Sequence, residues 1–326
     1  MLHDGRDAGA IAEAAELLAA GDLVAFPTET VYGLGARADD DAAVAKIFAL
    51  KGRPVGHPLI VHVVERGDAL AFAEALPALA ERLIAEFWPG PLTVIVKRKA
   101  GVAGAAAAGL PTIGLRCPAQ PVAHALLVAA REAGVIGVAA PSANRFGRVS
   151  PTTAAHVIDE FGAGLFVLDG GAAQLGIESA IVDCSGDHPT LLRPGVLSRE
   201  RIEAAAGMAL AAPDAASPRA PGTLESHYAP RATLRLMSGG MLRTALDVLG
   251  AAPIGLAVYS RSVPSGVAPG VLHRRMPARP EPAAHELFSV LRELDREGVH
   301  LIWVEEPPPG SDWDGVRDRL RRAAAP

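Results

Sequence analysis

The sequence predicts an α/β fold in two parts, because segments with helical periodicity alternate with short apolar segments of strand character along the chain. Its 326 residues are about the length of two domains, and the 50% that are hydrophobic can fill two cores. A stretch rich in Ala, Pro, Ser and Gly interrupts the alternation. We therefore predict a larger domain over residues 1–207, a linker over 208–231 and a smaller domain over 232–326.

The larger domain begins with an amphipathic helix over residues 8–20, which ends at Gly21, and a short apolar strand over 23–26. Apolar residues three or four positions apart predict further helices over 41–50, 76–87, 121–133, 152–161 and 198–206. Short apolar segments predict strands over 59–64, 92–97, 112–116, 135–139, 165–168 and 179–183. Several polar side chains follow the ends of these strands, where open α/β sheets bind ligands.

The smaller domain has the element order of a Rossmann-like parallel sheet. We predict strands over 233–237, 254–259 and 300–304, helices over 241–249 and 283–297, a basic segment around His273, and an arginine-rich helix at the end. A G-x-G-x-x-G loop is missing from the sequence, so dinucleotide binding is not expected.

Composition excludes several functional classes. The formal net charge of −5 argues against a protein that coats nucleic acid without specificity. Cys117 and Cys184 are the only cysteines and form no zinc-site spacing, so neither a disulfide framework nor a structural metal is expected. The acidic N-terminal residues do not resemble a signal peptide, and no segment has the length and apolarity of a membrane span. We predict a cytoplasmic protein.

Two tripeptides carry the clearest chemical signal: Lys51-Gly52-Arg53 and Ser142-Ala143-Asn144. The first supplies an ammonium and a guanidinium, which we expect to lie on one side of an extended segment, facing the same polyphosphate. The second supplies hydroxyl and amide donors in a loop that follows a strand and a proline. Each tripeptide alone is more typical of a solvated turn or a helix cap. Their occurrence together, within longer unusual motifs, favours a phosphate site.

Arg116 ends an apolar strand, where its guanidinium can bind a carboxylate through two parallel hydrogen bonds. An ordinary salt bridge at the strand end is an equal alternative. Gly33 and Gly35 follow a polar turn and are predicted to permit a tight backbone there.

The longer motifs resemble those of the YrdC-like family of threonylcarbamoyladenylate synthases. The resemblance is close over the first two thirds of the chain and extends into the linker. It is carried by the two tripeptides and by residues 26–35 (FPTETVYGLG), 88–93 (WPGPLT), 114–116 (GLR), 140–144 (APSAN), 150–152 (SPT), 178–179 (ES), 192–195 (LRPG) and 227–230 (HYAP).

The resemblance implies a twisted mixed sheet with helices around a concave cleft, followed by the Rossmann-like domain. It also implies that L-threonine, bicarbonate and ATP become threonylcarbamoyladenylate and pyrophosphate, by nucleotidyl transfer, for the threonylcarbamoyladenosine modification of tRNA. Lys51 and Arg53 are the implied catalytic residues. The implied ATP-binding residues are Lys51, Arg53, Thr112, Ser142, Asn144, Ser150, Arg193 and Tyr228. The implied threonine-binding residues are Thr28, Tyr32, His62, Arg116 and Ser179.

Three of these residues have simpler alternatives. A lone histidine in a strand, such as His62, is more often structural than functional. Arg193 could form a salt bridge at a domain edge. Tyr228 lies in the linker, which in the family folds over the active site as a lid, but its ring could also pack onto a domain surface.

Mg²⁺ is expected to accompany ATP, held mainly by phosphate oxygens and water, because no acidic cluster in the sequence forms a protein cage. The implied partners are these small substrates and a tRNA threonylcarbamoyl transferase complex that receives the product. Three other functions are open: a nucleic-acid-binding module with weak RNA affinity, a carbamoyl-transfer maturation enzyme, and a regulatory binder that senses a ligand through its C-terminal domain. The few aromatic residues disfavour the first, and the absence of zinc-finger cysteines disfavours the second.

Overall fold

The structure is a computed structural model that describes residues 1–249, 255–264 and 269–325. Contacts between Cα atoms divide the chain into two compact units. The first consists of Met1–Phe146 and Ser150–Thr223, and the second of Gly147–Val149 and Leu224–Pro326. The division after Thr223 falls inside the segment predicted as a linker.

The first unit combines helices with short strands. Its helices are α1 (Ala8–Ala19), α2 (Asp41–Lys51), α3 (Arg66–Ala69), α4 (Ala78–Phe87), α5 (Pro121–Glu132), α6 (Ala154–Phe161) and α7 (Arg199–Ala206). Its strands are β1 (Leu2–Asp4), β2 (Val24–Phe26), β3 (Gly33–Arg37), β4 (Ile60–His62), β5 (Leu92–Lys97), β6 (Thr112–Arg116), β7 (Val138–Ala139), β8 (Phe166–Asp169), β9 (Ala180–Asp183) and β10 (Thr190–Arg193).

These ten strands form one mixed sheet in the order β1-β8-β2-β3-β7-β4-β6-β5-β9-β10. The pairs β1/β8, β2/β8, β4/β6 and β5/β9 are parallel, and the other neighbouring pairs are antiparallel. The mixed sheet predicted for this part of the chain is confirmed.

Strand alternation gives the sheet two apolar faces. In β2, Ala25 belongs to the larger core, which includes side chains of α2, α4, α6 and α7. Its neighbours Val24 and Phe26 belong to a second core with side chains of α1 and α5. Helices therefore cover both faces at this end of the sheet.

Gly33 and Gly35 were predicted to permit a tight backbone at the polar turn, and the structure places both in strand β3 instead. Gly33 and Gly35 lie in an extended strand that pairs with β2. A Cβ atom at Gly35 would lie 2.9 Å from Phe26 Cε1 and 2.8 Å from Val138 Cγ1. Glycine is required here because it leaves room for neighbouring side chains.

The second unit contains a four-stranded sheet in the order β11-β14-β12-β13, with all neighbouring strands parallel. This agrees with the parallel sheet predicted for the smaller domain. The strands are β11 (Thr233–Met237), β12 (Leu256–Ser260), β13 (Leu272–Arg275) and β14 (Leu301–Glu305). The helices are α8 (Gly239–Leu249), α9 (Pro280–Arg296) and α10 (Asp314–Ala324), with a 3₁₀ turn at Ser311–Trp313. Ile254, predicted to start a strand, lies outside the described residues.

None of the helices in the described chain is long and apolar enough to span a membrane.

Candidate functional site

Strand alternation also places several candidate side chains on one face of the first unit's sheet. Val61, Leu115 and Ala180 point into the larger core on the opposite face. Their neighbours along β4, β6 and the start of β9 therefore point away from that core. The candidates on this second face are His62, Thr112, Arg116 and Ser179. His62 and Arg116 are direct register partners in the parallel pair β4/β6.

Lys51 is the last residue of α2 and is buried. Its Nζ donates a hydrogen bond to the backbone oxygen of Ser142 at 2.6 Å and another to that of Asn144. Gly52 follows in the left-handed conformation, with φ of 62°, as is common after a helix. The expectation that Lys51 and Arg53 share one side of an extended segment is wrong, because a helix end and a left-handed glycine lie there.

Lys51 is buried near a second cation, Arg53. Burial lowers the pKa of its ammonium well below the ordinary value, Arg53 lowers it further, and Glu160 and Glu178 oppose the change. Lys51 and Arg53 are only 3% and 7% exposed, so the alternative of a solvated turn does not hold for them. The hydrogen-bond acceptors of Lys51 within the described chain are neutral carbonyl oxygens. Such a site favours an anionic ligand.

Arg53 is held against Phe146. Its Nη2 donates to the carbonyl oxygen of Pro58 at 3.1 Å, and its Cζ lies 5.6 Å from the centroid of the Phe146 ring. The His57 ring also lies 5.6 Å from that ring. The N–H of Phe146 donates to the backbone oxygen of Lys51 at 2.9 Å. These contacts order the guanidinium beside the ammonium.

The segment from Ser142 to Asn144 is fixed to the start of β3. The N–H of Ala143 donates to the oxygen of Tyr32 at 2.8 Å, and Gly33 forms a β-bridge with Ser142. Asn144 is buried, and its Nδ2 donates to the oxygen of Arg145 at 2.7 Å. The structure thus brings together the end of α2 at Lys51, the segment Ser142–Asn144 and the start of β3.

Ser150 and Glu178 form a second polar contact of the first unit. Both are buried, and Ser150 Oγ donates to Glu178 Oε1. The charge of Glu178 also acts on Lys51. Ser150 therefore lies in the electrostatic surroundings of the candidate phosphate site.

Arg116 pairs with a carboxylate of the protein itself. Its Nη2 lies 2.6 Å from Glu29 Oε1, Nη1 donates to Thr30 Oγ1 at 2.9 Å, and Nε donates to Gly90 O at 3.3 Å. The salt-bridge alternative is therefore realised. A guanidinium has five N–H donors, so these three bonds leave donors for a second acceptor. The role of Arg116 in binding threonine stays a prediction.

Thr28 and Tyr32 occupy a buried turn beside Arg116. Thr28 Oγ1 donates to the oxygen of Val31 at 2.6 Å and lies 2.8 Å from Thr30 Oγ1. The Tyr32 hydroxyl donates to Gly171 O at 2.7 Å and lies 3.1 Å from Asp169 Oδ1. Burial is the main reason that the pKa of Tyr32 is raised above its ordinary value. The described bonds of both residues are structural, and their threonine contacts stay predictions.

His62 differs from its neighbours because its Nδ1 has no hydrogen-bond partner in the part of the chain that the structure describes. Burial, and next the charge of Arg116, lower the pKa of His62 to about 3. The ring is therefore neutral at physiological pH. Its edge-to-face contact with Phe26, at 6.0 Å between ring centroids, agrees with the alternative that His62 is a structural residue.

Arg193, the last residue of β10, is hydrogen-bonded to Ser179, which directly precedes β9. Arg193 Nε and Nη2 donate to the backbone oxygen of Ser179 at 3.1 and 3.0 Å. Ser179 Oγ lies 2.8 Å from Thr93 Oγ1. Both candidates are buried, and neither ATP binding by Arg193 nor threonine binding by Ser179 follows from these bonds alone.

Thr112 lines a narrow cavity of about 10 Å³, comparable to the space of one water molecule. Other residues around it include Pro58, Thr93, Gly114 and Arg219. This places Thr112 on the same face as His62 and Arg116.

Tyr228 belongs to the second unit, where its ring is buried. It stacks on Phe288 with 5.5 Å between centroids, contacts His227 edge-on, and lies 5.3 Å from Cζ of Arg319. Its φ of 62° is unusual for a residue other than glycine. The alternative that Tyr228 packs onto a domain agrees with these contacts, and its role as an ATP lid stays a prediction.

A group of three or more His, Cys, Asp or Glu side chains that could hold a metal ion does not occur in the residues described. The first unit offers cationic and hydroxyl groups for a polyphosphate, rather than a set of carboxylates for a metal.

Four residues of this network had no role predicted from the sequence: Glu29, Thr93, Phe146 and Glu178. Three of them, Glu29, Thr93 and Glu178, stand inside the quoted motifs, and that position was the available signal. Phe146 carried none, since its contact with Arg53 depends on how the chain folds.

Comparisons with known proteins agree with the predicted family. A family model described as telomere recombination matches residues 16–195. A second model, for the C-terminal domain of threonylcarbamoyl-AMP synthase, matches residues 197–325.

Several curated relatives are similar over most of their length. Threonylcarbamoyl-AMP synthase of Bacillus subtilis is 37% identical, over 96% of this chain and 92% of its own. The Pyrococcus abyssi synthase is also 37% identical, over 95% and 93%. The Schizosaccharomyces pombe synthase is 33% identical, over 97% and 88%.

Among solved structures, Pyrococcus abyssi Sua5 complexed with L-threonine has a TM-score of 0.86 at 34% identity, covering 96% of this chain and 94% of that one. A variant of the same protein with two substitutions has a TM-score of 0.87 at 32% identity, covering 99% and 96%.

Proposed function

Because this chain belongs to the threonylcarbamoyl-AMP synthase family, we propose that it forms threonylcarbamoyl-AMP and pyrophosphate from L-threonine, bicarbonate and ATP. Family membership makes it an enzyme, and the reaction proposed is a nucleotidyl transfer. We further propose that it acts in the cytoplasm and passes its product to a tRNA threonylcarbamoyl transferase complex.

The observation that carries the proposal is the buried Lys51 ammonium, fixed to the carbonyl oxygens of Ser142 and Asn144 and adjacent to Arg53. Two buried cations side by side repel each other and gain from an anion between them. ATP supplies such an anion. As the bond from the α-phosphorus to the bridging oxygen breaks, additional negative charge develops on the leaving pyrophosphate. These cations therefore stabilise the transition state as well as the substrate.

The reaction needs no strong base from the protein. The threonine amine adds to bicarbonate with loss of water, which gives an anionic carbamate. A carbamate oxygen then attacks the α-phosphorus, the bond from that phosphorus to the bridging oxygen breaks, and pyrophosphate leaves with the electron pair. Positioning and charge neutralisation account for the catalysis. Lys51 and Arg53 are the residues proposed for it.

We assign the remaining candidates by their surroundings. Arg116 uses its remaining N–H donors for the threonine carboxylate, with Thr28, Tyr32, His62 and Ser179 around the amino acid. The residues proposed on the ATP side are Thr112, Ser142, Asn144, Ser150, Arg193 and Tyr228.

Mg²⁺ is proposed to enter with ATP, held mainly by phosphate oxygens and water, since the described residues offer no carboxylate cluster for it. When bound, the ion neutralises charge on the phosphates.

The test is pyrophosphate release by the full chain with MgATP and bicarbonate, in parallel with L-threonine, L-serine and no amino acid. We expect release that depends on threonine and is abolished by Lys51→Ala. Lys46→Ala is the matched control, because Lys46 lies on the same helix but is exposed and pairs with Asp22 at 2.6 Å. Pyrophosphate release that does not depend on the amino acid, or that persists in the Lys51→Ala variant, contradicts the proposal.

A further inference from the structure

The segment of residues 219–221 is anchored on the candidate face of the first unit's sheet. Ala220 is 5% exposed and packs with four apolar side chains: Ile60, Ile95, Ile181 and Leu192. The oxygen of Pro221 accepts a hydrogen bond from Arg193 Nη1 at 2.9 Å, and that of Ala220 accepts one from Thr223 Oγ1 at 2.8 Å. This segment therefore has a fixed place beside the site.

Arg219 begins this segment and lies close to the candidate phosphate residues. It lines the same cavity as Thr112 and Pro58, and the oxygen of Pro58 accepts a hydrogen bond from Arg53. The charges of Arg53 and Arg219 both act on His57, where they add to burial in lowering its pKa. The charges of both guanidinium groups thus act on the loop between Arg53 and Pro58.

The Arg219 side chain is exposed and forms no hydrogen bond or ion pair with the described residues. Other arginines of the first unit are held by protein acceptors, such as Arg116 by Glu29 and Arg193 by Ser179. A guanidinium with free donors, at a cavity whose Pro58 also accepts a hydrogen bond from Arg53, is suited to bind an anion with several oxygens.

We propose that Arg219 binds the terminal phosphates of ATP as a third cation beside Lys51 and Arg53. The inference rests on the proposed function in taking ATP as the ligand. The β- and γ-phosphates are assigned because Lys51 and Arg53 are the groups proposed for the departing pyrophosphate, and Arg219 acts on the same loop, at His57, as Arg53 does. A residue outside all of the recognised motifs then contributes to ATP affinity.

The test compares ATP, pyrophosphate and AMP, because AMP lacks the phosphates that Arg219 is proposed to contact. Calorimetric titration of the full-length Arg219→Ala variant should show at least tenfold weaker binding of MgATP and pyrophosphate, with AMP affinity changed less than twofold. Arg219→Lys should lie between the variant and the unaltered protein. Arg6→Ala, which removes another exposed arginine of the first unit, should change none of the three affinities.

An equal loss for ATP and AMP, or no loss for ATP, overturns the proposal. So does a loss of binding to a single-stranded RNA oligonucleotide with ATP affinity intact, because Arg219 then contacts RNA instead. The titrations contain neither threonine nor bicarbonate, so they do not depend on turnover. Failure of pyrophosphate release therefore counts against the proposed reaction only, whereas the ATP and AMP affinities decide the role of Arg219.

Discussion

Buried charged side chains distinguish the first unit at the scale of single residues. The ion pair between Arg116 and Glu29 is 4% and 5% exposed, and burying such a pair costs desolvation free energy that its attraction need not repay. Lys51 adds an ammonium with neutral acceptors. Placing such charges in the interior is a poor way to stabilise a fold, which supports the proposed role of these side chains in binding.

His62 provides a prediction about pH. Its pKa is about 3 in the folded protein and about 6.5 in an unfolded chain, so between these values the unfolded chain binds the additional proton. The free energy of unfolding should therefore fall as the pH decreases below about 6.5, by up to about 1.4 kcal/mol per pH unit from this residue. Chemical denaturation between pH 7 and pH 5 should show a smaller decrease in the free energy of unfolding for His62→Gln than for the unaltered protein.

The control for this measurement is His124→Gln, which replaces an exposed histidine on α5. It should reproduce the pH dependence of the unaltered protein. Equal slopes for His62→Gln and the unaltered protein would mean that His62 takes up its proton normally in the folded state.

At the scale of secondary structure, the ring of Phe26 occupies the space beside Gly35, where β2 pairs with β3. Since a Cβ atom at Gly35 meets Phe26 and Val138 at less than 3.0 Å, Gly35→Ala should lower the free energy of unfolding by about 1–3 kcal/mol. In a Phe26→Leu background the same change should cost less, because the ring that it meets is gone. Urea denaturation of the two single variants and the double variant measures this coupling.

Gly164→Ala is the matched control, since nothing lies within 4 Å of a Cβ atom there and its φ is not in the left-handed region. It should leave stability within about 0.5 kcal/mol. Additive effects of Gly35→Ala and Phe26→Leu would argue that the backbone of β3, and not the ring, requires glycine.

Most elements of the first unit could be predicted from sequence because their patterns are local. Helix α2 has its apolar face and Asp40 as N-cap, and β5 is a largely apolar segment. Strand β3 could not be predicted, since its glycines are typical of turns and become strand residues only next to Phe26. Strand β10 was missed too, because it is short and forms only by pairing with β9.

The candidate site was predictable to a similar degree. Motif residues around Lys51 and Ser142 were expected to meet, and the structure joins them. The partner of Arg116 was not predictable, because Glu29 lies 87 positions away along the chain and reaches Arg116 only through the fold. Residue types thus indicated the chemistry, whereas the pairing within the site required the structure. The family and the α/β class were predicted correctly.

The division into two units yields a prediction for the whole molecule. ATP bound at Lys51 and Arg53 should stabilise the first unit by about 2.7 kcal/mol at a concentration a hundred times its dissociation constant. Hydrogen exchange followed by mass spectrometry should show slower exchange in peptides that contain residues 51–53 and 142–146. Added protection of residues 227–229 would support the predicted role of Tyr228.

Lys51→Ala should abolish this protection and Lys46→Ala should retain it. Protection confined to peptides after residue 231, with no change in the first unit, would place the ATP site elsewhere in the chain.

The second unit includes three residues from the middle of the sequence. The N–H of Ala229 donates to Gly147 O at 2.9 Å, Arg148 pairs with Asp295 at 3.9 Å, and Arg292 donates to the oxygen of Val149. During synthesis these three residues leave the ribosome long before their partners exist. Recombination at a single junction therefore cannot exchange the whole second unit. A replacement must also supply partners for residues 147–149, which are encoded within the sequence of the first unit.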